Sequence, residues 1–438
     1  MPFYDETNIN IIGLIFLLVM VFLVLFLPRR YAIIPILMSI CYMTLGQVIN
    51  VGGLHFYIPR ILILFGWVRL ISRHEISNIR LNLVDKIFIL WVIANVVIYV
   101  LQRLTYGSVV NRLGFAYDAI GMYFLFRYLY REFEDIQNII RYLAILIVPL
   151  AILMLIERAT ERNFFAIFGG IPFITELREG TLRCQGPFLH PILAGTFGAT
   201  LMPMFVALWF KAKNGRFLAV ISIVSAMIIV LASGSTGPVI AFIFVILAFA
   251  AWPLRWHMRL VRWGIFLAVL SLHLVMKASV WSLIGRVGSE VGGDGWHRVQ
   301  LIDAAIEHFN EWWLLGTQRT SHWMGGQGIL PNDPDMIDIT NQYISQGIHG
   351  GIITLLLFVL LISLCFREVG RALHSAREKS LFEQVTFWSL GVSLVAHVAS
   401  FISVRYFDNN VLLWYIFLAI VSTIGNWITT KEYPLSRT

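Results

Sequence analysis

The stretch from Asp335 to Gly351, DMIDITNQYISQGIHGG, sets two carboxylates, an Asn-Gln pair and a Gly-Gly step directly ahead of the apolar run IITLLLFVLLISL, where His349 reads as an interfacial residue at a span start. Groups of this kind at the edge of an apolar segment can move protons, and they can equally mark the point where a chain re-enters an apolar phase. A second candidate is Arg183 in LRCQGPFLHPILAG. The Gly186-Pro187 and His190-Pro191 steps hold off a helix until Pro191, where proline suits a first turn. A helix amino terminus flanked by Arg183 and His190 can receive a negatively charged group. An arginine there can also simply snorkel to a membrane surface.

Further cations fall at the same depth of the hydropathy pattern. Arg60 and Arg112 lie near the ends of apolar windows, as do His273, Lys277 and Arg405. Ionisable groups inside spans are costly and usually face a polar cavity. Asp118 is the one carboxylate well inside a window, and it can pair with one of these cations. Several cations without matching carboxylates predict an anionic partner at membrane level, of which a lipid-linked phosphate or diphosphate is the natural form. Guanidinium groups suit it, because they bind phosphate oxygens in pairs and stay charged. An ion transporter would place more carboxylates in mid-span.

The elements that must position these residues are apolar. The 438-residue chain is 58% hydrophobic and 13% charged. Thirteen windows reach the length and apolarity of a membrane span: 10–27, 31–49, 56–72, 84–102, 110–128, 139–157, 191–210, 217–233, 235–252, 261–279, 348–366, 384–404 and 409–428. The pattern predicts an all-α polytopic membrane protein, a single transmembrane domain over residues 1–438. The first window is too long and too weakly basic for a cleaved signal peptide. Cys41, Cys184 and Cys365 show no metal-ligand spacing, so neither a disulfide framework nor a metal is expected. The formal charge of +8 follows from topology rather than from nucleic acid: 21 of the 33 basic residues sit in alternate loops and the carboxyl tail, including Arg29-Arg30, Lys213, Lys431 and Arg437. The amino terminus is then outside and the tail inside. Two outward loops are long, 158–190 and 280–347. In the second, acidic residues including Glu290 and Asp294 outnumber Arg286, Arg298 and Arg319. Its segment 296–316 reads as an amphipathic helix with Val299, Ile302, Ile306 and Phe309 on one side, lying on the membrane or on the bundle, with Trp312-Trp313 in an interfacial belt.

Three segments resemble the O-antigen ligase and Wzy-type polysaccharide polymerase superfamily. RCQGPFLHPILAG is similar to the Arg…Gly…Pro element that precedes a span there. GRVGSEVGGDGWHRVQLIDAAIEHFNEWWLLGTQ is similar to the Arg-rich start of the family's large outer loop. TNQYISQGIHGGIIT aligns with its loop-end motif: Thr340, Asn341, nine residues, Gly351, two more and Thr354. The resemblance implies about twelve to thirteen transmembrane helices in the bacterial inner membrane, with the active site facing the periplasm and partly carried by the large periplasmic loop. It implies a metal-independent inverting glycosyltransferase needing no cofactor, whose donor is a glycan on undecaprenyl diphosphate. A flippase, a chain-length regulator and membrane lipid are the implied partners.

In those terms Arg183 and Arg298 are expected to bind diphosphate, with Arg286, Arg60 and His190 beside them. Asp335, Asp338, Thr340 and Asn341 occupy the expected catalytic edge. The chain departs from the family at two places. Thr340 stands where the ligases carry histidine, and a threonine hydroxyl is too weak an acid-base group for that role near pH 7. Asp338 in an apolar setting of raised pKa is the expected substitute base. The sequence SGSTG at 233–237 also lacks the arginine that many relatives place after the serine. The missing histidine favours a polymerase of surface or exported polysaccharide. A ligase moving glycan to a lipid or protein acceptor is the alternative, and a non-catalytic flippase of lipid-linked glycan is the rival from another class.

Overall fold

The computed structural model describes residues 7–211, 213–290, 295–331 and 333–432. Asp294 and Arg437, and the side chains of Lys213, Glu290 and Lys431, lie outside the described residues. The protein is mostly helical. In chain order the helices are α1 (Ile11–Phe26), α2 (Ile34–Tyr42), α3 (Ile58–Ser72), α4 (Leu83–Arg103), α5 (Tyr106–Leu129), α6 (Phe133–Thr160), α7 (Pro191–Leu208) and α8 (Lys213–Ala232). They continue as α9 (Thr236–Ala250), α10 (Met258–Val275), α11 (Ser282–Glu290), α12 (Gly295–Glu307), α13 (Phe309–Trp312), α14 (Gln342–Ser375), α15 (Leu381–Ser403) and α16 (Asn409–Glu432). Three small sheets complete it: β1 (Thr7–Asn8) with β2 (Gln47–Val51) and β3 (Leu54–Tyr57), β4 (Glu176–Arg178) with β5 (Thr181–Arg183), and β6 (Ile329–Leu330) with β7 (Asp333–Ile337). Among the described residues, seven helices are long and apolar enough to cross a membrane.

Alternate connections meet at opposite ends of the helix bundle. At one end Arg29 donates to Leu129 O, Arg131 to Glu75 O, and Asn82 to Ser422 O. This basic end is tied by buried ion pairs. Asp85 takes Arg127 at 2.9 Å, the Tyr123 hydroxyl at 2.6 Å and Ser422 at 2.8 Å, which joins α4, α5 and α16. Arg69 is buried and bonds Glu75 together with Val24 O and Leu27 O, which ties α3 to the end of α1. At the opposite, loop-rich end, Asn10 donates to Ile167 O, Thr44 to Gly169 O and Asn409 to Met43 O. A backbone N–H at Leu189 reaches Asp408 there.

Three expectations are corrected. The window 31–49 is not one helix: α2 has nine residues, about 14 Å at the α-helical rise. The chain then becomes the β2–β3 hairpin, whose turn is Gly52-Gly53 in the left-handed region (φ 59° and 81°). The β-branched run VINV before a Gly-Gly turn explains why extended structure wins. Secondly, the helix expected over 296–316 breaks at His308, and its buried face is Val299, Leu301, Ala304 and Ala305. Ile306 and Phe309 are exposed, and Trp312 is core while Trp313 is not. Thirdly, α14 begins at Gln342, inside the stretch assigned to the large loop.

The large loop has its own core of Leu301, Trp312, Trp323, Met336 and Ile337, seated on Ile344 and Ile348 of α14. The seat is a break in α14. Gly350 and Gly351 leave helical geometry (φ −156° and 65°), which frees backbone groups on both sides. Thr317 N donates to Ile348 O at 2.9 Å and Ile352 N to Trp313 O at 2.8 Å, so the loop supplies the missing partners. Gly347 allows the close approach, since a Cβ there would lie 2.5 Å from the Trp312 ring. At Gly351 a Cβ would strike Leu314 O in a conformation that L side chains rarely adopt. Gly351→Ala is therefore expected to lower stability by about 2 kcal/mol or more. It should also speed proteolysis between residues 313 and 331. Unchanged melting and cleavage of the purified protein would refute the seat.

Candidate functional site

Two groups of cations stand at the loop-rich end. The first is built by the segment between α6 and α7. Glu157, buried at the end of α6, accepts from Gln185 N (3.0 Å) and Gly186 N (2.9 Å), while Gly186 turns the chain at φ 56°. Asn163 takes Gly186 O at 2.7 Å. These bonds hold Arg183 on β5 so that it bonds Glu176 (3.0 Å) and Ser235 (3.2 Å). Ser235 belongs to the SGSTG turn and precedes α9, and Gly234 must lack a side chain because a Cβ would meet Leu182 O at 2.8 Å. His190 caps α7, accepting Ile192 N at its Nδ1. Burial, then Arg183 and Arg178, push its pKa down to about 4. It is thus a neutral cap at pH 7. With Nδ1 accepting, its proton resides on Nε2, which leaves a donor available to an anion.

The second group is formed by the facing ends of α4 and α5, the first half of α14 and the 404–408 connection. Arg112 lies 3.5 Å and Arg103 4.6 Å from the centre of the Tyr99 ring. Tyr99 in turn stacks on His349 at 5.9 Å. Arg103, Arg112 and Arg405 are the main charges acting on His349, and Arg103 and Arg405 both act on Arg112. Burial opposes the Arg405 charge, and Asp338 offsets part of that opposition. Among the described residues, none of the three arginines makes an ion pair, and the Nε atoms of Arg103 and Arg112 are buried without a hydrogen-bond partner. Contrast the basic end, where Arg69 and Arg127 each hold a carboxylate. His349 has one tautomer in this setting: Nδ1 is 2.7 Å from Ser345 O, which can only accept, so Nδ1 carries the proton. Among the described residues its Nε2 has no hydrogen-bond partner.

The two groups share the chain from Ser403 to Asp408. Gly237 packs on Ser403, two residues before Arg405, and Asp408 Oδ2 accepts Leu189 N at 2.9 Å beside His190. Asp408 is buried in a left-handed backbone (φ 61°), and burial, opposed by the Leu189 and Asn409 N–H groups, pushes its pKa up to about 7.

The other expected residues are dispersed. Arg60 donates from Nε and Nη2 to the two carboxylate oxygens of Asp118 (2.8 and 2.7 Å), the pairing the sequence left open, and from Nη1 to His55 O. Asn341 caps α14 by accepting Tyr343 N and Ile344 N. Thr340 Oγ1 is buried without a hydrogen-bond partner. Asp335 pairs with Arg319 at the surface. Asp338 is exposed, which corrects the apolar setting expected for it, yet its charge reaches Arg405. Arg286 is exposed on α11 and Arg298 half-buried on α12; neither is among the main charges acting on Arg112, His349 or Arg405.

Where no metal was expected, His308, Glu311 and His322 bring their ligand atoms within 4.8 Å of one another. Both imidazoles and Trp323 Nε1 bond the same carboxylate at 2.8–3.1 Å. Burial alone would raise Glu311, but the bonds from Trp323, His322 and His308 hold it down at about 2. The cluster can hold a divalent cation, and it also closes by itself as a hydrogen-bonded clip across the large loop. Cys41, Cys184 and Cys365 are free and buried.

No family model matches this chain, and no curated protein matches it.

The absence of carboxylate partners makes a stability prediction. Removing one partner of a buried pair leaves the other uncompensated and costs about 3–5 kcal/mol, so Arg127→Gln should lower the melting temperature strongly. Arg405→Gln should leave it unchanged or raise it, because a charge among like charges is lost. Equal destabilisation by the two substitutions, in thermal unfolding of the purified protein, would assign Arg405 a structural role instead.

Proposed function

We propose that this chain is a polytopic membrane glycosyltransferase, a Wzy-like polymerase joining undecaprenyl-diphosphate-linked repeat units on the periplasmic face of a bacterial inner membrane. In this reading the loop-rich end faces outward and the basic end inward, as the Lys and Arg distribution demands. The observation that carries the proposal is that, among the described residues, Arg103, Arg112 and Arg405 make no ion pair, the exposed Asp338 acting on Arg405 alone. Charges kept in a half-buried place without compensation need a ligand of opposite sign. At the edge of an apolar bundle, a lipid diphosphate supplies it.

The chemistry follows from the charges. An acceptor sugar hydroxyl attacks the anomeric carbon of the lipid-linked donor. The bond from that carbon to the diphosphate oxygen breaks, its electron pair leaving with undecaprenyl diphosphate, and the configuration inverts. Arg103, Arg112 and Arg405 offset the charge growing on the leaving group, which is where preorganised cations lower a barrier most. His349 Nε2 takes the hydroxyl proton. It stands among those arginines with its lone pair free, whereas Thr340 and Asn341 are buried or occupied in capping. Asp338 is exposed beside Arg405 and is the second candidate for the base. Arg183 and the Nε2–H of His190 approach from the other side of the 403–408 chain and suit the second phosphate or the acceptor. Asp118, the carboxylate half way along α5, is neutralised by Arg60, which argues against a charged pathway for a flippase.

Membranes given lipid-linked repeat units should lose chain extension on Arg112→Ala or Arg183→Ala. His349→Ala should cut turnover by about 10²–10⁴-fold, as removal of a general base does. Asp338→Asn should act less. Full turnover by His349→Ala with loss in Asp338→Asn would move the base to Asp338, and normal polymer from both arginine variants would refute the site. Deleting the protein separates polymerase from ligase: single repeat units still reaching the surface mean a lost polymerase, long chains stranded on the carrier a lost ligase.

A further inference from the structure

A large cavity lies at the opposite end from the proposed site. It has a volume of about 910 Å³, near the upper limit of the roughly 300–1,000 Å³ of ligand pockets. Its walls are the ends of α9 and α14, the middle of α15, and one side of α10. Two of its properties are complementary. Towards the bundle it is apolar, lined by Phe244, Leu247, Ile265, Val392 and Val395. Towards the basic end it is ringed by Arg255, Arg259, Arg262, Arg367 and Arg371.

Among the described residues the charge there is not balanced: Glu368 is the one carboxylate in the wall, and it is taken by Arg367 (2.9 Å) and Arg371 (3.3 Å). Arg255 lies 4.1 Å over the Trp252 ring and bonds only Trp252 O, with its Nε buried and without a partner. Arg259 and Arg262 are exposed at the mouth, and neither is among the described ion pairs. Three guanidiniums therefore converge on one opening without an ion-paired carboxylate among the described residues.

Helix α10 supplies the second observation. None of its residues is buried, although it is mostly apolar beyond Arg259 and Arg262; Leu260, Trp263, Ile265 and Phe266 are all exposed. It stands off α9 and α15 across the cavity and packs mainly on the turn that leads into it, Trp252–His257. A gap between apolar helices forfeits dispersion contacts on every wall unless something fills it.

We propose that this cavity binds an anionic phospholipid of the inner leaflet, its phosphate among Arg255, Arg259 and Arg262 and an acyl chain in the apolar gap between α10 and α15. Basic pockets between spans on the cytoplasmic side recognise anionic headgroups in this way. The inference requires that the helices cross a membrane, but not that the protein transfers sugars. The lipid completes the packing of α10, and its headgroup neutralises what the protein leaves unpaired.

The test uses the full chain, purified in mild detergent and titrated with phosphatidylglycerol, phosphatidylcholine or inorganic phosphate, with bound lipid read by native mass spectrometry and melting followed in parallel. Phosphatidylglycerol should be retained and raise the melting temperature, while phosphatidylcholine and inorganic phosphate should do neither. Arg259→Gln with Arg262→Gln should weaken phosphatidylglycerol on the order of 30-fold, since each basic residue at a membrane contact contributes about a factor of five. Both side chains are exposed, so folding should survive. Val395→Trp, which fills the gap and leaves the arginines intact, should also release the lipid. Equal retention of phosphatidylcholine, protection by inorganic phosphate alone, or a lipid-free dimer seated on α10 would each overturn the proposal. Chain extension assayed at the other end of the bundle is a separate readout, so either proposal can fail alone.

Discussion

The break in α14 at Gly350-Gly351 is the constraint on which the outer half of the structure depends. A continuous helix would satisfy its own backbone at Ile348 and Ile352 and would offer the large loop no purchase. The left-handed turn at Gly351 frees those groups, and residues 313–317 take them. One short stretch thereby does three things. It seats the loop's separate core on Ile344 and Ile348, it ends the first half-helix at His349, and it brings that histidine to Tyr99 and the arginines of α4 and α5. The loop covers this non-helical backbone and satisfies the polar groups that the break frees.

Electrostatics divides the molecule in the same way. At the basic end buried arginines are paired: Arg127 with Asp85 and Arg69 with Glu75. Near the loop-rich end Arg60 is paired with Asp118 and Arg183 with Glu176. Pairing turns those arginines into fasteners, although the Arg183 pair reaches an exposed carboxylate that a ligand can displace. Arg103, Arg112 and Arg405 at one end, and Arg255, Arg259 and Arg262 at the other, lack that compensation. Both groups border apolar helices. A ligand that carries its negative charge on a hydrocarbon tail, as proposed above for each end, would meet both conditions.

Much of this organisation is legible in the sequence. Helix-forming apolar windows and the alternation of basic loops correspond to helices and to the two ends where loops meet. The β2–β3 hairpin was obscured because VINV reads as apolar, and hydropathy does not distinguish a buried strand from part of a span. The buried face of 296–316 is hard to read because its apolar residues cover two sides: one packs on the loop core, while Ile306 of α12 and Phe309 of α13 are exposed. The site itself was only partly readable. Arg60 and Arg405 look alike in sequence, and only their neighbours show that one is neutralised and the other not. Arg103 and Arg112 did leave a trace, since they flank a connection that the basic-loop pattern keeps poor in positive charge. Position in a motif marks Asn341, and the structure shows in addition that it caps α14 by accepting Tyr343 N and Ile344 N.

The central claim is that Arg103, Arg112 and Arg405 form a diphosphate site. The most direct measurement is equilibrium binding of an isoprenyl diphosphate to the purified protein, compared with the isoprenyl monophosphate and repeated with Arg112→Gln and Arg405→Gln. The account predicts saturable binding that weakens with salt, favours the diphosphate, and falls roughly tenfold or more with each substitution, as loss of a charge-assisted bond does. Binding that is unchanged in both variants would contradict it.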